Sequence, residues 1–273
     1  MSGAPTTEVR RAADQPPAAR IQSLYRQLRD AYGPQGWWPL AGRAGRPGFD
    51  AHGYHLRGRR SPLTPSDRFE ICVGAVLTQN TAWTNVETSL ERLRAAGVRT
   101  PRHVVERPGV PHLIRSSGYF NQKTRKLKLL ARFFLRPGAL SGRRPPGRED
   151  LLSLWGIGPE TADSILLYAF QVPTFVVDAY TRRLLQRLGI LEGDEPYGVI
   201  QEVFHRSLRR SGPLFNEYHA LIVAHAKRHC RARPVCTGCP VRPCAWGDGL
   251  DNLRGNTAGE LDPAGHLDHP PGS

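Results

Sequence analysis

The chain has 273 residues, of which 39% are apolar, enough for one large or two small domains with an apolar core. No stretch is apolar for long enough to span a membrane, and the first residues lack the apolar run of a secretory signal, so we expect a cytoplasmic protein. The formal net charge of +14 indicates a polyanionic partner, most often nucleic acid, although basic residues that merely solvate the surface would give the same total.

The two ends of the chain differ in composition from its body. Residues 1–19 and 249–273 are rich in proline, glycine, alanine and polar residues without periodicity, which predicts two disordered tails. A segment at 137–147, rich in proline, glycine and arginine, interrupts the body at 20–248. We therefore predict two helical subdomains, one at about 67–140 and the other formed by 20–66 together with 141–248.

The body of the chain shows helical periodicity. Residues 67–77 carry apolar side chains at the spacing of one buried helix face, and Asp67 and Glu70 match a capping box at its start. Four later helices are indicated in the same way, by Trp83, Val86, Leu90 and Leu93, by residues 161–170, by Leu184, Leu185 and Leu188, and by residues 214–225. Since hardly any segment alternates as a strand does, the predicted fold is all-α.

Two glycines one residue apart, Gly156 and Gly158, separate two of these helices. Glycine leaves little steric cover over the backbone, so amides at the start of the next helix can face outward and bind a DNA phosphate. An ordinary helix–helix turn shows the same pattern, and the glycines alone do not decide between the two.

Asp178 ends a short apolar segment at the point where a helix is predicted to begin. Aspartate is a preferred helix N-cap, and in isolation that role explains the residue. Its position about twenty residues beyond the glycine pair raises the alternative of a functional carboxylate.

Four of the five cysteines lie close together, and in a chain without a secretory signal such a cluster predicts metal binding rather than disulfides. They are Cys230, Cys236, Cys239 and Cys244. Four thiolates suit either tetrahedral zinc or a 4Fe–4S cluster, and the uneven spacing, with one Cys-x2-Cys pair, favours the iron–sulfur cluster. The fifth, Cys72, falls on an apolar helix face and is predicted to be a buried core residue.

In this order, the motifs resemble the endonuclease III-like, helix-hairpin-helix (HhH-GPD) superfamily of DNA glycosylases over about residues 30–246. The resemblance also covers residues 32–39, 77–81, 118–123, 177–178 and 216–219. It implies two helical subdomains with a DNA-binding groove and a base pocket between them, a helix-hairpin-helix motif and a C-terminal 4Fe–4S cluster loop. The partner that it implies is double-stranded DNA containing a damaged base.

The resemblance also implies roles for individual residues. Asp178 is the catalytic carboxylate that stabilises positive charge on the sugar or orients water, and Gln79 enters the space left by the flipped base. Gly156 and Gly158 bind DNA through the hairpin. Charge, and not the resemblance, predicts that Lys123 also binds DNA, as the first of four cations in six residues. The candidates for stacking on an electron-poor base are Trp37, Trp38 and Trp83, for which plain core packing is the alternative.

Two features depart from the family pattern. Glu160 stands where bifunctional members carry the lysine of the lyase reaction, and a carboxylate cannot form an imine. The cysteine loop is shorter than the usual endonuclease III spacing by one residue in each of two intervals.

The first departure predicts a monofunctional glycosylase, close to the 3-methyladenine-type members, that acts as a monomer at the nucleoid. The alternatives are a bifunctional endonuclease III with AP lyase activity on oxidised pyrimidines and a non-catalytic protein that binds damaged DNA on the same scaffold. A zinc-ribbon nucleic-acid binder is a more distant alternative.

Overall fold

The computed structural model describes residues 15–56 and 62–247, and within these ranges the chain is helical. One isolated β-bridge, between Phe49 and His55, is the nearest approach to a strand in the described residues. This confirms the all-α prediction. The helices are α1 (Pro17–Tyr32), α2 (Pro65–Leu77), α3 (Trp83–Ala95), α4 (Pro101–Glu106), α5 (Val110–Leu113), α6 (Phe120–Phe133), α7 (Arg148–Leu152), α8 (Pro159–Ser164), α9 (Ala179–Arg187), α10 (Tyr197–Ser207) and α11 (Gly212–Arg228).

The N-terminal helix changes the predicted extent of the first tail. Because α1 begins at Pro17, residues 17–19 belong to a helix and not to the tail. Residues 1–14 of that prediction and the tail predicted at 249–273 lie outside the described residues. Among the described helices, none combines the length and apolarity that a bilayer crossing requires.

The start of α2 differs from the predicted capping box. Thr64, and not Asp67, is the N-cap, and its hydroxyl oxygen accepts a hydrogen bond from the Asp67 backbone N–H at 3.2 Å. The Asp67 carboxylate accepts from the Thr64 backbone N–H at 2.8 Å, which completes the box one helical turn earlier than predicted. Glu70 has another role, because its carboxylate accepts from the backbone N–H of Gly42 at 3.1 Å.

The helix predicted at 161–170 begins at Pro159 and changes pitch within its length. α8 continues directly into a π-helical turn at Ile165–Ala169, whose residues are all buried. α2 packs against this turn, so the C-terminal end of α8 is anchored in the core. Cys72 of α2 has no exposed surface, which confirms the predicted core position.

The beginning of the chain packs against its second half. α1 contacts α10 and α11, and the hydroxyl of Tyr218 donates to the carbonyl of Ile21 at 2.8 Å. The grouping of residues 20–66 with 141–248 and the division of the chain into two subdomains stay predictions.

A buried polar network holds the segment that leads to Asp178. The Asp163 carboxylate on α8 has no exposed surface and accepts from the Arg148 guanidinium at 2.9 and 3.2 Å. It also accepts from the hydroxyl of Thr174 at 3.2 Å and from the amide of Gln201 at 2.9 Å. A buried carboxylate satisfied by four donors is costly to disturb, so the network fixes α7, α8 and α10 around the segment.

Candidate active site

Asp178 is the N-cap of α9, and its two carboxylate oxygens have different surroundings. Oδ1 accepts from the backbone N–H of Thr181 at 2.8 Å and from the Thr181 hydroxyl at 2.9 Å. Oδ2 lies 3.4 Å from Nε2 of His219 on α11, and 15% of the side chain is exposed. The N-cap role and the functional role are therefore compatible, because the cap occupies one oxygen and leaves the other available.

The imidazole of His219 is held by a second buried residue. The Tyr168 hydroxyl and Nδ1 of His219 are 2.5 Å apart, and both side chains are buried. A neutral imidazole that accepts this hydrogen bond at Nδ1 carries its proton on Nε2, which faces Asp178. Sequence reasoning assigned no role to either residue. The family resemblance at residues 216–219 could have indicated a role for His219, whereas nothing in the sequence distinguished Tyr168 from the other residues of a buried helix.

These contacts decide the charge of Asp178. Burial by itself raises the pKa of this carboxyl, but the nearby His219 and the hydrogen bonds from Thr181 outweigh burial and hold the pKa below its usual range. The Asp178 carboxylate is therefore ionised at neutral pH.

Glu160, in the first turn of α8, lies within the electrostatic influence of Asp178. Loss of hydration around its carboxyl and the negative charge of Asp178 raise the pKa of Glu160 to about 7, although the residue as a whole is exposed at the surface. His219 and Arg182 oppose the shift without cancelling it. In the described part of the chain, no group hydrogen-bonds or ion-pairs with the Glu160 carboxylate.

The three tryptophans predicted for the base pocket lie together in one aromatic cluster. Trp37 is half-buried, and its ring centroid lies 6.0 Å from those of both Tyr168 and His219. Trp38 is only 5% exposed and contacts Tyr168 at 5.0 Å and Trp83 at 5.2 Å. Trp37 thus borders the residues that hold Asp178, whereas Trp38 belongs to the core.

Gln79, two residues beyond the end of α2, bridges to the glycine hairpin. Its amide nitrogen donates to the Gly156 carbonyl at 3.1 Å and to the Thr161 hydroxyl at 2.9 Å, and its carbonyl accepts from Lys126 Nζ at 2.6 Å. The structure therefore places Gln79 beside the hairpin, and its insertion into DNA stays a prediction.

The two hairpin glycines differ in backbone conformation and in the space around the position of a side chain. Gly156 has a left-handed φ of +80°, a backbone conformation that favours glycine, and a Cβ there would come within 2.4 Å of the flexible Lys126 side chain and displace it. Gly158 precedes α8 with an extended φ of −91°. In the described residues no atom beyond its chain neighbours comes within 4 Å of the position of an added Cβ at Gly158. This open side is where a phosphate could reach the backbone.

Lys123 does not present its charge to solvent. The side chain is 2% exposed, and Nζ donates to the carbonyls of Leu77 at 2.8 Å and Ser117 at 2.6 Å. Burial also lowers the pKa of Lys123 to about 8. This placement argues against the predicted DNA contact, because the ammonium already donates to backbone carbonyls at the end of α2 and before α6.

Other cations of α6 do reach the surface beside the hairpin. The guanidinium of Arg125 lies 4.2 Å from the ring centroid of Trp155, and Lys126 Nζ lies 5.9 Å from the same centroid. Trp155 immediately precedes Gly156 and is 46% exposed. A cation stacked on an exposed aromatic ring is a surface suited to nucleic acid, and sequence reasoning did not assign Trp155 to it.

The four clustered cysteines are free thiols in the described chain. Burial raises the pKa of Cys239, and its proximity to Cys236 and Cys230 raises it further, so these thiols share one region. Arg187 links two of the thiols, since its guanidinium donates to the Cys230 sulfur at 3.4 Å and its carbonyl lies 3.6 Å from the Cys244 sulfur.

The donor set suits an iron–sulfur cluster, because four cysteine thiolates are the usual ligands of a 4Fe–4S centre. Over residues 15–56 and 62–247, no three His, Cys, Asp or Glu side chains converge as the ligands of one ion would. The thiolates of a 4Fe–4S cubane bind separate irons and need not meet at one point. Four free thiols with a guanidinium donor on one sulfur match the surroundings that such clusters take in proteins.

The chain is similar to known DNA repair proteins. The family model described as "HhH-GPD superfamily base excision DNA repair protein" matches residues 73–210. "Putative DNA repair glycosylase MJ1434" of Methanocaldococcus jannaschii is 35% identical over 231 residues, which are 81% of this chain and 94% of that protein. Endonuclease III of Thermotoga maritima is 28% identical over 179 residues, which are 64% of this chain and 80% of that protein.

Two solved structures are similar in fold. The 3-methyladenine DNA glycosylase MagIII of H. pylori, bound to 1,N6-ethenoadenine, aligns with a TM-score of 0.59 and 26% identity over 78% of this chain and 98% of that chain. A trapped covalent intermediate of endonuclease III with DNA aligns with a TM-score of 0.66 over 86% of this chain and 98% of that chain. At 20% identity, the second similarity shows the fold alone.

Proposed function

The chain belongs to the HhH-GPD superfamily of base excision DNA repair proteins and is a DNA glycosylase of that family, and we propose that it is a monofunctional enzyme that removes an alkylated base from double-stranded DNA. The observation that carries the proposal is the pair of carboxylates at the site. Asp178 is held ionised by His219 and Thr181, and its neighbour on the hairpin helix is Glu160. A carboxylate at that position cannot form the imine that a lyase needs.

Asp178 would act through its negative charge. A damaged nucleotide rotates out of the duplex, and its glycosidic bond breaks with positive charge developing on the sugar. A fixed carboxylate that needs no reorganisation stabilises this charge. Tyr168 and His219 hold the carboxylate in position, and Trp37 offers an aromatic face on which an electron-poor base can stack.

The substrate class is supported by the site and by one of the relatives. The aromatic cluster around Trp37 suits a flat, cationic base, and the similar MagIII structure holds an ethenoadenine. DNA would be held by Gly158 at the hairpin, by Gln79 and by the cations beside Trp155, with the protein acting as a monomer.

We also propose that Cys230, Cys236, Cys239 and Cys244 hold one 4Fe–4S cluster. Its role would be structural, since the loop lies after α11 and is hydrogen-bonded to Arg187 of α9. When bound, the cluster supplies four iron–thiolate bonds that clamp a loop rich in proline. Arg187 and the loop backbone would orient the thiolates.

A panel of duplexes, each with one lesion, tests the proposed reaction. We expect release of alkylated purines, with the strand left intact at the abasic site, and no release by a parallel Asp178→Asn preparation. Release of oxidised pyrimidines with strand cleavage would support the bifunctional alternative. Lesion-specific binding without release of any base would support the non-catalytic alternative.

A further inference from the structure

We infer that Tyr32 and His225 are positioning residues for the metal centre proposed at the four clustered cysteines. The His225 imidazole donates a hydrogen bond to the Cys239 sulfur, and the Tyr32 hydroxyl determines which imidazole nitrogen carries the proton. The inference rests on the proposed 4Fe–4S cluster and not on the glycosylase reaction. It adds a second N–H···S donor to the one that Arg187 directs at Cys230.

His225 contacts the cysteine loop through both its backbone and its side chain. It lies in the last turn of α11 and is 1% exposed. Its carbonyl accepts from the backbone N–H of Cys230 at 3.1 Å, and its Nε2 lies 3.9 Å from the sulfur of Cys239. One buried residue therefore contacts the first and the third cysteine of the loop.

The other nitrogen of this imidazole faces a residue that lies 193 positions earlier in the chain. The hydroxyl of Tyr32, the last residue of α1, is 2.8 Å from Nδ1 of His225. Among the described residues, the Tyr32 hydroxyl has no other hydrogen-bond partner, so it donates its proton to Nδ1. The guanidinium of Arg228 packs over the Tyr32 ring at 4.8 Å from the centroid and restricts its movement.

This arrangement makes His225 a hydrogen-bond donor to the sulfur and not a metal ligand. A neutral imidazole that accepts at Nδ1 carries its proton on Nε2, the nitrogen that faces Cys239. A protonated Nε2 has no lone pair for a metal ion, but it can donate to a thiolate. Such hydrogen bonds stabilise the negative charge on sulfur and help to set the reduction potential of an iron–sulfur cluster.

A second contact of the Cys239 sulfur does not compete with His225 when a metal is bound. The sulfur lies 4.0 Å from the Val241 carbonyl, to which only a protonated thiol can donate. Metal binding requires the thiolate, which has no proton. The contact with His225 is therefore the one that remains, because there the sulfur is the acceptor.

The active site uses the same arrangement on the same helix. His219 of α11 lies between the hydroxyl of Tyr168 and the carboxylate of Asp178. His225 lies in the same way between a phenol and a sulfur. In each case a tyrosine fixes the tautomer of a buried histidine, and the histidine directs its N–H at a group that carries negative charge in its functional form.

Three variants distinguish this role from plain packing. His225→Phe keeps an aromatic ring and removes the N–H, Tyr32→Phe removes only the hydroxyl, and His225→Gln provides an amide N–H instead of the imidazole. Each full-length chain is purified without oxygen, and its iron and acid-labile sulfide are measured. The reduction potential of the bound cluster and the rate of iron loss to a chelator are then compared with those of the wild type.

We expect His225→Phe to give a more negative reduction potential, because an N–H···S donor stabilises the reduced form, which carries more negative charge. Its iron should pass to the chelator roughly 10- to 100-fold faster. Tyr32→Phe should change both quantities in the same direction but by less, and His225→Gln should recover part of the wild-type potential. Tyr25→Phe is the matched control, since it removes a hydroxyl from the same helix, and it should behave as the wild type.

Wild-type potential and iron release in both His225→Phe and Tyr32→Phe would overturn the inference alone. Faster iron release at an unchanged potential would also overturn it, because it would mean that His225 only packs against the loop. If His225→Phe yields no iron-containing protein, Tyr32→Phe decides by the same two measurements. Wild type with one equivalent of zinc and no acid-labile sulfide would overturn the cluster assignment as well.

Discussion

At the scale of single residues, the site depends on Asp178 serving as helix cap and fixed charge together. Its Oδ1 accepts both Thr181 donors, and its Oδ2 faces His219. Capping normally ties an aspartate to structure alone, but here the second oxygen is left for chemistry. Replacing Asp178 by asparagine can therefore separate the effect of the charge from the effect of the cap, because asparagine caps a helix as well as aspartate does.

Asp178→Asn should therefore lose base release and keep the fold. The amide oxygen still accepts from Thr181, while the negative charge is gone, and we expect a loss of roughly 10²–10⁴-fold in single-turnover rate. Affinity for lesion DNA should stay the same or increase, because one negative charge near the phosphates is removed. An Asp178→Asn enzyme that releases the base at the wild-type rate would contradict the assignment.

Glu160→Lys should create the reaction that the wild type lacks. The new amine would stand beside the Asp178 carboxylate, and loss of hydration that leaves part of it neutral would allow attack on an abasic sugar. We expect borohydride to crosslink the Glu160→Lys variant to abasic DNA and to crosslink little wild type. Efficient crosslinking of the wild type, lost on replacing one of its four lysines, would establish the bifunctional alternative.

At the scale of elements, the cysteine loop is connected to the helix that Asp178 caps. Arg187, in the last turn of α9, donates to the Cys230 sulfur and to the carbonyl of Ala232 at 2.8 Å. The loop is therefore part of the packing of α9 and not a separate appendage. Loss of the metal centre that we propose for these thiols should destabilise the cysteine loop and α9.

Cys236→Ser should lose iron and lower the melting temperature. Iron and acid-labile sulfide analysis, with absorbance of the purified protein in the visible range, measures the loss. Cys72→Ala is the matched control, because this thiol is buried in α2 and belongs to the core, so iron should be retained. Purified wild type with one equivalent of zinc and no acid-labile sulfide would contradict the cluster assignment and favour zinc.

At the scale of the whole molecule, the formal charge of +14 acts through cations that reach the surface. Those beside the hairpin, Arg125 and Lys126, lie next to the exposed ring of Trp155. Lys123 is on the same helix but buried, and its charge stabilises the junction of α2 and α6 instead. The net charge predicts a nucleic-acid partner, and the exposure of each cation determines whether it can contact that partner.

Replacing both Arg125 and Lys126 by glutamine should flatten the salt dependence of DNA binding. Each phosphate that the protein no longer neutralises changes the slope of log affinity against log salt by about 0.9, so the double variant should change it by roughly 1.8. Arg102→Gln on α4, a surface variant that removes one positive charge, should leave the slope unchanged. An unaltered slope in the double variant would place the DNA elsewhere on the surface.

The sequence by itself determined the features that depend on near neighbours. Helix periodicity predicted α2, α3, α9 and α11, because a buried helix face repeats within a few residues. The buried position of Cys72 and the N-cap at Asp178 followed from equally local patterns. The capping box of α2 was placed one helical turn late because Thr64 and Pro65 lie outside the apolar pattern.

Tertiary structure decided what depends on distant partners. Tyr168 and His219 are 51 positions apart, and Gln79 and Gly156 are 77 apart, so no local pattern could show that they meet. The burial of Lys123 depends in the same way on the Leu77 carbonyl, 46 positions away. Folding brings these groups into contact because the helices share one core, and the charge states and solvent access that chemistry requires arise only there.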